Sequence, residues 1–390
     1  MRKKNSDRFR VLLVIRLDLL GVVRLPRLLH GAGCDVTLFA PRRVTVAHSR
    51  FLDRHIVASS SSHQLIEELA AHLADHRDEY QWVILGDETL LQEIAERKGE
   101  RWLEGWFPVN PMSRSVELIT SKFDFLQAAA QAGLPVPRFQ FCDNVAEARR
   151  LAEEFGFPLI LKRPTSMAGS GVRKVWGHED LAPQFEAISE GEPVMVQQCA
   201  MGRRGQTEVL FDAGRPLCWE SSYTLQSWPT ELAASCVREL MDHPTIEPLL
   251  QGIGELTGFH GLGGVDWVQD AGGAVSLIEF NARPTPGCHS MEMFSDAVRN
   301  SLRGTPDVLH PPPEALHRKI HMFPQSVYQA IDKRNPAMLL RACANLPFND
   351  PALMLALLKR VIGHYVPART RQWIKGWSGA AGTVTNLFER

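Results

Sequence analysis

The sequence predicts a mixed α/β and α+β protein, with a small open α/β domain first, a two-lobed α+β body next and a helical extension last. Three observations lead to this fold class. Strands alternate with helices at the start of the chain, paired apolar runs around Gly-containing turns dominate residues 190–300, and a Pro-Pro-Pro run at 311–313 precedes mostly helical sequence. At 390 residues the chain is long enough for several buried cores.

Charge and cysteine content argue against several classes of protein. The formal net charge of −1 gives no overall attraction to nucleic acid. The seven cysteines are scattered without a C-x-x-C pair, which favours reduced thiols over a disulfide framework or a zinc site. Arg16 and Asp18 interrupt the first apolar run, and no later run is long enough to span a membrane. We expect a soluble, cytoplasmic protein, and nothing in the sequence predicts its oligomeric state.

Residues 1–110 are predicted to form the small open α/β domain. Val11–Ile15 is a short apolar run typical of a buried parallel strand, and the helical sequence after it stops at a Gly-Ala-Gly run. Further strands are predicted at Val36–Phe39 and Trp82–Leu85, with a helix at 64–76 between them. The first strand is not followed by G-x-G-x-x-G, so this domain is not predicted to hold a dinucleotide.

Gly86-Asp87-Glu88 directly follows the last of these strands, at the edge where ligands bind in open α/β sheets. Asp87 has two interpretations there. It lines a ligand crevice, or it caps the helix that follows, as aspartate commonly does. We favour the cap.

Residues 111–190 are predicted to form a first lobe of mixed helices and strands. A helical pattern covers 115–131 and ends at Gly133, before two prolines. The remaining predicted elements are strands at 138–141, 158–162 and 172–176 and helices at 144–155 and 180–189.

Lys162 stands at the end of a predicted buried strand, directly before a loop that contains Gly169 and Gly171. A lysine and glycine backbone amides suit phosphate oxygens, and such a loop can close as a lid. The pattern is weak by itself, because most loops of this kind are plain turns. Lys122, which opens a helix, is a weaker candidate still, since a lone helical lysine is usually a solvated charge.

Residues 191–305 are predicted to form a second lobe made mainly of hairpins. A strand at 194–198 is followed by a connector at 199–205, and two strands then pair across Ala213-Gly214. Another hairpin surrounds an Asp-Ala-Gly-Gly turn at 270–273.

Three oxygen-bearing side chains share one face of this last hairpin. Strand side chains alternate between faces, so Glu279 and Asn281 point the same way, and the turn brings Asp266 back towards them. With Arg283 just beyond, this set suits Mg²⁺, which binds a few carboxylate or amide oxygens and completes its shell with water and nucleotide phosphates. The alternative is an ordinary hairpin whose polar residues lie on its solvent-exposed face.

The region after residue 310 is predicted to be mostly helical, with apolar-rich stretches at 337–344 and 352–362. It is also basic, and its last part interleaves cationic and aromatic side chains. These residues are Arg369, Arg371, Trp373, Lys375 and Trp377. They form either a patch for a membrane surface or anionic partner, or the solvated face of a helical cap, and we favour the cap.

The order of these pieces along the chain resembles the ATP-grasp superfamily of carboxylate ligases. The match covers roughly residues 80–300, and although each motif is short, their joint order and spacing are specific. It rests on Lys122, Gly133–Pro137, the strand ending at Lys162, the loop ending in Gly169-Ser170-Gly171-Val172, the 194–200 connector, Asp266, and Glu279-x-Asn281-x-Arg283. The resemblance implies a pre-grasp domain (1–110), the two lobes of the ATP-grasp fold (111–190 and 191–305) and a helical, basic extension (306–390).

The resemblance also implies a nucleotide site between the lobes. Lys122 and Lys162 would contact the ATP phosphates, and the Ala168-Gly169-Ser170-Gly171 loop would be the lid. The hinge that would hold adenine consists of Gln197, Gln198, Cys199 and Ala200. The family often has an acidic residue where Gln197 stands, but the amide oxygen can still accept from the adenine amino group. Glu208 would be a further nucleotide-side carboxylate, unless it is an ordinary surface residue of its strand.

The same resemblance implies that Asp266, Glu279 and Asn281 bind Mg²⁺, with Mn²⁺ as the alternative ion. Relatives often have Glu at the first position, but Asp is an equally hard ligand. Arg283 would be the catalytic residue that faces the reacting carboxylate and its phosphate, because its planar fork of donors suits oxyanions. The implied reaction activates a small carboxylate as an acyl phosphate with ATP and joins it to a small amine.

Other functions stay open at this point. One is a nucleotide-binding regulatory protein without turnover, although the intact metal and arginine set argues against it. Another is a glycosyltransferase, prompted by the sequence at 14–21, which predicts a second α/β domain for a nucleotide sugar. Phosphotransfer and carboxylation are further reactions of ATP-grasp proteins.

The sequence does not predict the two substrates. We expect specificity to come from loops of the first domain and from the segments 225–236 and 284–291. Cys288-His289 belongs to the second of these segments, and we assign it to a substrate loop. It is not predicted to be a catalytic pair, because neighbouring side chains on an extended segment point apart.

Overall fold

The computed structural model describes residues 8–163 and 171–365, and the strands in these ranges form three sheets. None of the helices in the two ranges is long and apolar enough to cross a membrane. Short 3-10 helices occur at Leu20–Val22, Thr45–His48, Arg77–Glu79, Arg101–Leu103 and Pro313–Ala315.

The N-terminal unit is a parallel four-stranded sheet flanked by helices. Its strand order is β3-β2-β1-β4. Leu12 and Val14 of the first strand lie in one hydrophobic cluster and Val11 and Leu13 in another, so the strand is buried on both faces and is apolar throughout. The predicted open α/β architecture is confirmed. The elements are β1 (Phe9–Val14), α1 (Leu25–Gly31), β2 (Cys34–Pro41), β3 (Arg54–Ala58), α2 (Ser62–His76), β4 (Trp82–Leu85) and α3 (Glu88–Ala95).

Strand β3 was not predicted from the sequence. It lies at the edge of the sheet, and only Ala58 among its five residues is buried. Because an edge strand of this kind pairs on one side only and carries Arg54 and His55, it lacks the apolar run by which the other strands were recognised.

The next unit is an antiparallel four-stranded sheet in the order β5-β8-β6-β7, with two helices packed against one face. Both helices follow the predicted ranges closely. The elements are α4 (Ser115–Thr120), α5 (Lys122–Gln131), β5 (Phe139–Cys142), α6 (Val145–Phe155), β6 (Leu159–Lys162), β7 (Val172–Val175), α7 (His178–Ser189) and β8 (Val194–Gln198).

The continuous helix predicted over 115–131 is two helices in the structure. Helix α4 ends at Thr120, and Ser121 has an extended backbone conformation. The Ser121 hydroxyl accepts a hydrogen bond from the Asp124 backbone N–H at 3.2 Å and so caps α5. As a consequence, Lys122 occupies the first position of a new helix.

The third sheet has six antiparallel strands, of which the edge strand β14 (Lys319–His321) comes from the C-terminal region, and the strand order is β13-β12-β9-β10-β11-β14. This architecture contradicts the glycosyltransferase alternative, because residues 203–281 form hairpins and not a second parallel α/β domain. The elements up to residue 302 are β9 (Arg203–Asp212), β10 (Arg215–Ser227), β11 (Ser235–Met241), α8 (Ile246–Thr257), β12 (Gly261–Gln269), β13 (Val275–Asn281) and α9 (Met291–Leu302).

The two faces of the six-stranded sheet differ in chemistry. Val209, Phe211 and Trp267 belong to the main hydrophobic core. Glu208 and Asp266 alternate with these residues along the same strands, so they lie on the opposite face. Leu210 and Leu262 make part of this second face apolar, but the part around Glu208 and Asp266 is polar. This polar part, called the polar face below, carries the candidate site.

The C-terminal region is mostly helical, as predicted, but it also adds a strand to the large sheet. Lys319–His321 forms β14 and pairs with β11. The helices are α10 (Gln325–Asp332), α11 (Pro336–Cys343) and α12 (Pro351–Tyr365). The basic and aromatic residues at 369–377 lie outside the described residues, so neither interpretation of that patch is tested.

Two acidic residues attach α12 to the N-terminal unit. Asp350, which is 1% exposed, accepts hydrogen bonds from the Ser49 hydroxyl at 2.6 Å and from the Arg50 backbone N–H at 3.1 Å. Arg360 pairs with Asp18 at 2.7 Å, in the loop after β1. The C-terminal region is therefore held against the loops that follow β1 and β2.

We expect Asp350→Ala to lower the free energy of unfolding by about 2–3 kcal/mol, because it removes the acceptor of the buried Ser49 hydroxyl, of the Arg50 backbone N–H and of the Leu353 backbone N–H at the start of α12. Urea unfolding monitored by circular dichroism measures this change. Asp307→Ala, at an exposed position, is the control. A loss of less than about 0.5 kcal/mol in the Asp350 variant would contradict the proposed attachment.

Candidate active site

The hairpin of β12 and β13 brings the three predicted metal ligands together. Asp266 lies directly opposite Glu279, and Gly264 lies opposite Asn281. The Asn281 side-chain amide donates to the Asp266 carboxylate at 3.4 Å. Two carboxylates and one amide oxygen therefore share a small area of the polar face.

Two cationic side chains contact this group, one from the start of α5 and one from the segment directly after β13. Lys122, at the start of α5, places its Nζ 2.9 Å from Glu279 Oε1 and 3.5 Å from Glu88 Oε1. The Arg283 guanidinium lies 3.6 Å from Glu88 Oε2 and donates to Asn281 Oδ1 at 3.3 Å. The site is thus a network of alternating charges built from α3, α5 and the β12–β13 hairpin.

Glu88 is a site residue that was not predicted. The sequence placed it at the carboxyl end of β4, an edge where ligands bind, but only its neighbour Asp87 was weighed as a candidate. The signal that identifies Glu88 is its position as the first residue of α3, since that helix begins beside Lys122 and Arg283.

The favoured interpretation of Asp87 agrees with the structure. Its carboxylate accepts from the Leu90 backbone N–H at 2.8 Å and so caps α3. The same side chain also accepts from the backbone N–H groups of Arg16 at 2.8 Å and Leu17 at 3.3 Å. Fully buried, Asp87 ties the loop after β1 to the helix that presents Glu88.

The electrostatics of the site favour the binding of ions of both signs. Burial raises the pKa of Asp266 to about 6, and the nearby Glu279 carboxylate adds to this shift. Burial alone would also raise the pKa of Glu279, but Lys122 and Lys162 outweigh it and the pKa is lowered. Burial lowers the pKa of Lys162 despite the opposing charge of Glu279. A cation beside the two carboxylates and an anion beside Lys162 would relieve both costs.

The predicted hinge begins with the last two residues of β8, Gln197 and Gln198. Gln197 is 1% exposed, and its Nε2 has no hydrogen-bond partner within the described part of the chain. The backbone N–H groups of Gln198 and Cys199 already donate to carbonyls of Arg138 and Pro158, at 2.8 and 3.2 Å. An adenine contact here would therefore use other groups of the hinge, the Gln197 amide or Ala200 among them.

Glu208 is not a surface residue, so that alternative was wrong. It is 2% exposed and pairs with Arg238 at 3.1 Å, while the Thr285 hydroxyl donates to it at 3.3 Å. A side chain at Gly287 would collide with Glu208, since an added Cβ would lie 1.8 Å from its carboxyl carbon. The segment after β13 thus covers Glu208, whose assignment to the nucleotide side stays a prediction.

Comparison with known proteins agrees with this architecture. Residues 121–203 match the family described as carbamoyl-phosphate synthase L chain, ATP binding domain. The structure superimposes on N5-carboxyaminoimidazole synthetase from Staphylococcus aureus complexed with ADP, with a TM-score of 0.63 and 14% identity over 85% of this chain and 87% of that one. The chain has the ATP-grasp fold. The resemblance predicted from the motif order is confirmed.

Other similar proteins differ in their named reactions. The L-amino acid ligase from Bacillus licheniformis superimposes with a TM-score of 0.57, at 15% identity over 81% of this chain and 80% of that one. The D-alanine–D-alanine ligase of Bordetella avium is 26% identical over 180 residues, which are 41% of this chain. The match spans 55% of the length of that ligase, so similarity covers about half of it.

Part of the ATP-grasp lid prediction falls outside the described residues. Ala168, Gly169 and Ser170 lie there, while Gly171 is described and its carbonyl accepts from the Arg163 backbone N–H at 3.0 Å. Arg163 and Gly171 therefore join the two ends of this loop. The role of the loop as a lid stays a prediction.

The donor set on the β12–β13 hairpin fits a magnesium ion. Asp266 and Glu279 supply adjacent, partly buried carboxylates, and burial together with the Glu279 charge raises the pKa of Asp266 to about 6. Within residues 8–163 and 171–365, no three His, Cys, Asp or Glu side chains form a complete metal cage. An ion at this site would therefore take its remaining ligands from Asn281, water and phosphate oxygens, as Mg²⁺ commonly does.

Proposed function

We propose that the protein is an ATP-dependent carboxylate–amine ligase. The observation that carries this proposal is the convergence of Lys122, Glu279 and Asp266 at one point of an ATP-grasp fold, with Lys122 Nζ 2.9 Å from Glu279. Two similar proteins, the L-amino acid ligase and the D-alanine–D-alanine ligase, are named as amino acid ligases, which supports the same reaction class.

Each residue has a defined role in this proposal. Lys122 and Lys162 bind phosphate oxygens of ATP, and Gln197 to Ala200 hold the adenine. Asp266, Glu279 and Asn281 would hold Mg²⁺, which would supply positive charge to offset the charge on the transferring phosphoryl group. Arg283 orients the substrate carboxylate and donates to the oxygens of its phosphate. Glu88 holds Lys122 and Arg283 in position, with its two oxygens 3.5 and 3.6 Å from them.

The reaction proceeds in two steps. A carboxylate oxygen attacks the γ-phosphorus of ATP, the bond from that phosphorus to the β–γ bridging oxygen breaks, and ADP leaves. The amine nitrogen then attacks the acyl carbon, the bond from carbon to the phosphate oxygen breaks, and the nitrogen loses a proton. Phosphorylation is needed because an oxide ion is a poor leaving group. No covalent protein nucleophile takes part.

Release of ADP and phosphate from Mg-ATP tests this function. The purified protein is incubated with pools of amino acids, amines and small carboxylic acids, with bicarbonate as a separate addition. We expect release that requires both an acid and an amine. Release with bicarbonate alone would point to carboxylation, and ATP binding without any pool-dependent release would favour the regulatory alternative.

We expect Lys162→Met to raise the KM for ATP by about tenfold to a hundredfold, because a hydrogen bond from a charged donor contributes about 1.5–3 kcal/mol. Once the pools have identified a substrate pair, steady-state kinetics with that pair measures the change. Lys319→Met, at an exposed position on β14, is the matched control. A KM within about twofold of wild type in the Lys162 variant would remove Lys162 from the phosphate site.

A further inference from the structure

A surface cavity lies between the large sheet and the helices α10 and α11. Its volume is about 200 Å³. The sheet contributes Gln226, near the end of β10, and His321, at the end of β14, and both residues pair with Val237 of β11. Side chains from the sheet and from the helical region therefore converge on one space. The helical region contributes Lys333, Asn335, Ala337, Met338 and Arg341.

The lining of this cavity carries unmatched positive charge. Lys333 and Arg341 line it, and none of the described Asp and Glu residues does. Neither cation forms an ion pair with any other residue that the structure describes. Asp332, the acidic neighbour of Lys333, is engaged elsewhere, because it accepts from Trp228 Nε1 at 2.7 Å and from the Tyr365 hydroxyl at 3.3 Å.

His321 brings a ring with free hydrogen-bonding capacity to the same cavity. Neither of its ring nitrogens hydrogen-bonds to another described residue, and Nδ1 is buried. The ring can therefore donate an N–H from either edge. Its backbone carbonyl accepts from the Asn345 side-chain amide at 2.6 Å, which anchors the end of β14. Burial lowers the pKa of His321, and the positive charge of Arg341 lowers it further, an effect that a bound anion would offset.

Helix α11 brings Arg341 to the cavity. Ala337, Met338 and Arg341 are about one turn apart, so they lie on the same face of the helix. Met338 packs in a hydrophobic cluster with Val237, which holds this face against the sheet. The Asn335 side chain caps the helix by accepting from the Met338 backbone N–H at 3.0 Å. The backbone that carries Arg341 is thus positioned by packing before any ligand binds.

The tight turn between α10 and α11 brings Lys333 to the cavity. The Lys333 backbone N–H donates to the Gln329 carbonyl at 3.0 Å, and the Asn335 backbone N–H donates to the Ala330 carbonyl at 2.8 Å. Arg334, between them, has a left-handed backbone conformation with a φ of 50°. This turn separates two neighbouring cations, because Lys333 lines the cavity and Arg334 does not.

The cavity is separate from the candidate active site. The predicted metal ligands lie on β12 and β13, whereas His321 lies on β14, at the opposite edge of the six-stranded sheet. Five strand spacings separate β13 from β14, which corresponds to roughly 24 Å. A ligand in the cavity would therefore not take the place of any group in the predicted nucleotide site.

The size and charge of the cavity favour a small, strongly anionic group. Its volume of about 200 Å³ is below the roughly 300–1,000 Å³ of pockets that enclose drug-sized ligands, but it is several times the volume of one water molecule. A phosphate group carries a charge of about −1.5 to −2 at neutral pH, which matches two cations better than a single carboxylate does.

We propose that Lys333, Arg341 and His321 bind a phosphate group, carried either by inorganic phosphate or by a small phosphate monoester. This site goes beyond the proposed ligase function and does not depend on it. The Arg341 guanidinium donates to phosphate oxygens through its fork of N–H groups, Lys333 supplies a second positive charge, and the His321 ring donates one further hydrogen bond.

Calorimetric titration of the full chain with inorganic phosphate, and separately with glycerol 3-phosphate, tests the site. Saturating Mg²⁺ and a non-hydrolysable ATP analogue keep these anions away from the predicted nucleotide site. We expect at least one of them to bind, and Arg341→Gln to weaken that binding at least tenfold, because it removes charge-assisted hydrogen bonds. Lys333→Gln is a second variant with the same expected direction. Arg334→Gln makes the same change at an exposed residue that does not line the cavity, and is expected to bind as wild type does.

The two anions distinguish the source of the phosphate group. Tighter binding of inorganic phosphate assigns the site to the free ion, and tighter binding of glycerol 3-phosphate assigns it to a monoester. No binding of either, or equal binding by wild type and both lining variants, overturns the site and leaves the ligase proposal standing. Acetate that binds as tightly as phosphate would overturn the assignment to phosphate. If the ATP analogue does not bind, the nucleotide site fails, and comparison of Arg341→Gln with Arg334→Gln on the free protein still decides the cavity.

Discussion

Glu279→Gln is expected to lower the turnover number at least about a thousandfold while leaving the protein folded. The substitution keeps the size of the side chain but removes one of the two adjacent charges that would hold Mg²⁺, and it weakens the contact 2.9 Å from Lys122. A thousandfold corresponds to about 4 kcal/mol, the scale of charge stabilisation that a metal ion supplies in a transition state. Lys122 keeps Glu88 as a partner at 3.5 Å, so no buried ammonium is left unpaired.

The rate of ADP release with a substrate pair from the pools measures this effect. The melting temperature of the variant shows whether the fold is retained. Glu255→Gln, on the exposed side of α8, makes the same chemical change away from the site and is expected to be neutral. Wild-type turnover in Glu279→Gln would remove Glu279 from the metal site.

Arg238→Met is expected to lower the free energy of unfolding by about 3–5 kcal/mol near neutral pH, because it leaves a buried carboxylate without its counter-ion. Arg238 and Glu208 are 5% and 2% exposed, and their charged atoms lie 3.1 Å apart. Replacing both residues, as Glu208→Gln with Arg238→Met, is expected to recover much of the loss. The pair thus differs from the exposed ion pairs of this chain, which contribute little.

The loss in Arg238→Met should also grow as the pH rises. Burial raises the pKa of Glu208 in the folded protein, and removing Arg238, which lowers it, raises it further. A group whose folded pKa is raised adds stability below its unfolded pKa and loses that contribution as the pH rises through the folded pKa. Urea unfolding at acid and alkaline pH measures the trend, with the exposed Arg215→Met as control. A pH-independent loss would contradict this account of the pair.

The metal ligands could be predicted because a hairpin is local. Alternation along β13 puts Glu279 and Asn281 on one face, and a short turn at 270–273 leaves few registers in which Asp266 could pair. Sequence alone therefore located the centre of the candidate site and, through the order of the motifs, the fold around it.

Residues that reach the site from distant parts of the chain were harder to predict. Glu88 contacts Lys122 and Arg283 only because the N-terminal sheet packs against the grasp lobes, and no local pattern records that packing. Glu208 was open to interpretation as a surface residue because its burial depends on the segment carrying Thr285 and Gly287, which folds over it from further along the chain. Local structure was also hard to predict at Ser121, because a single serine cap there interrupts an otherwise helical sequence pattern.

Binding of ATP, measured by calorimetry with and without Mg²⁺, tests the central claim most directly. We expect the wild-type protein to bind Mg-ATP with micromolar affinity, to bind ATP more weakly without the metal ion, and to lose affinity in both conditions when Lys162 is replaced by Met. Glu279→Gln should reduce the difference between the two conditions, because that difference arises from the metal ligands. Absence of ATP binding to the folded wild-type protein would contradict the nucleotide site and the ligase function with it.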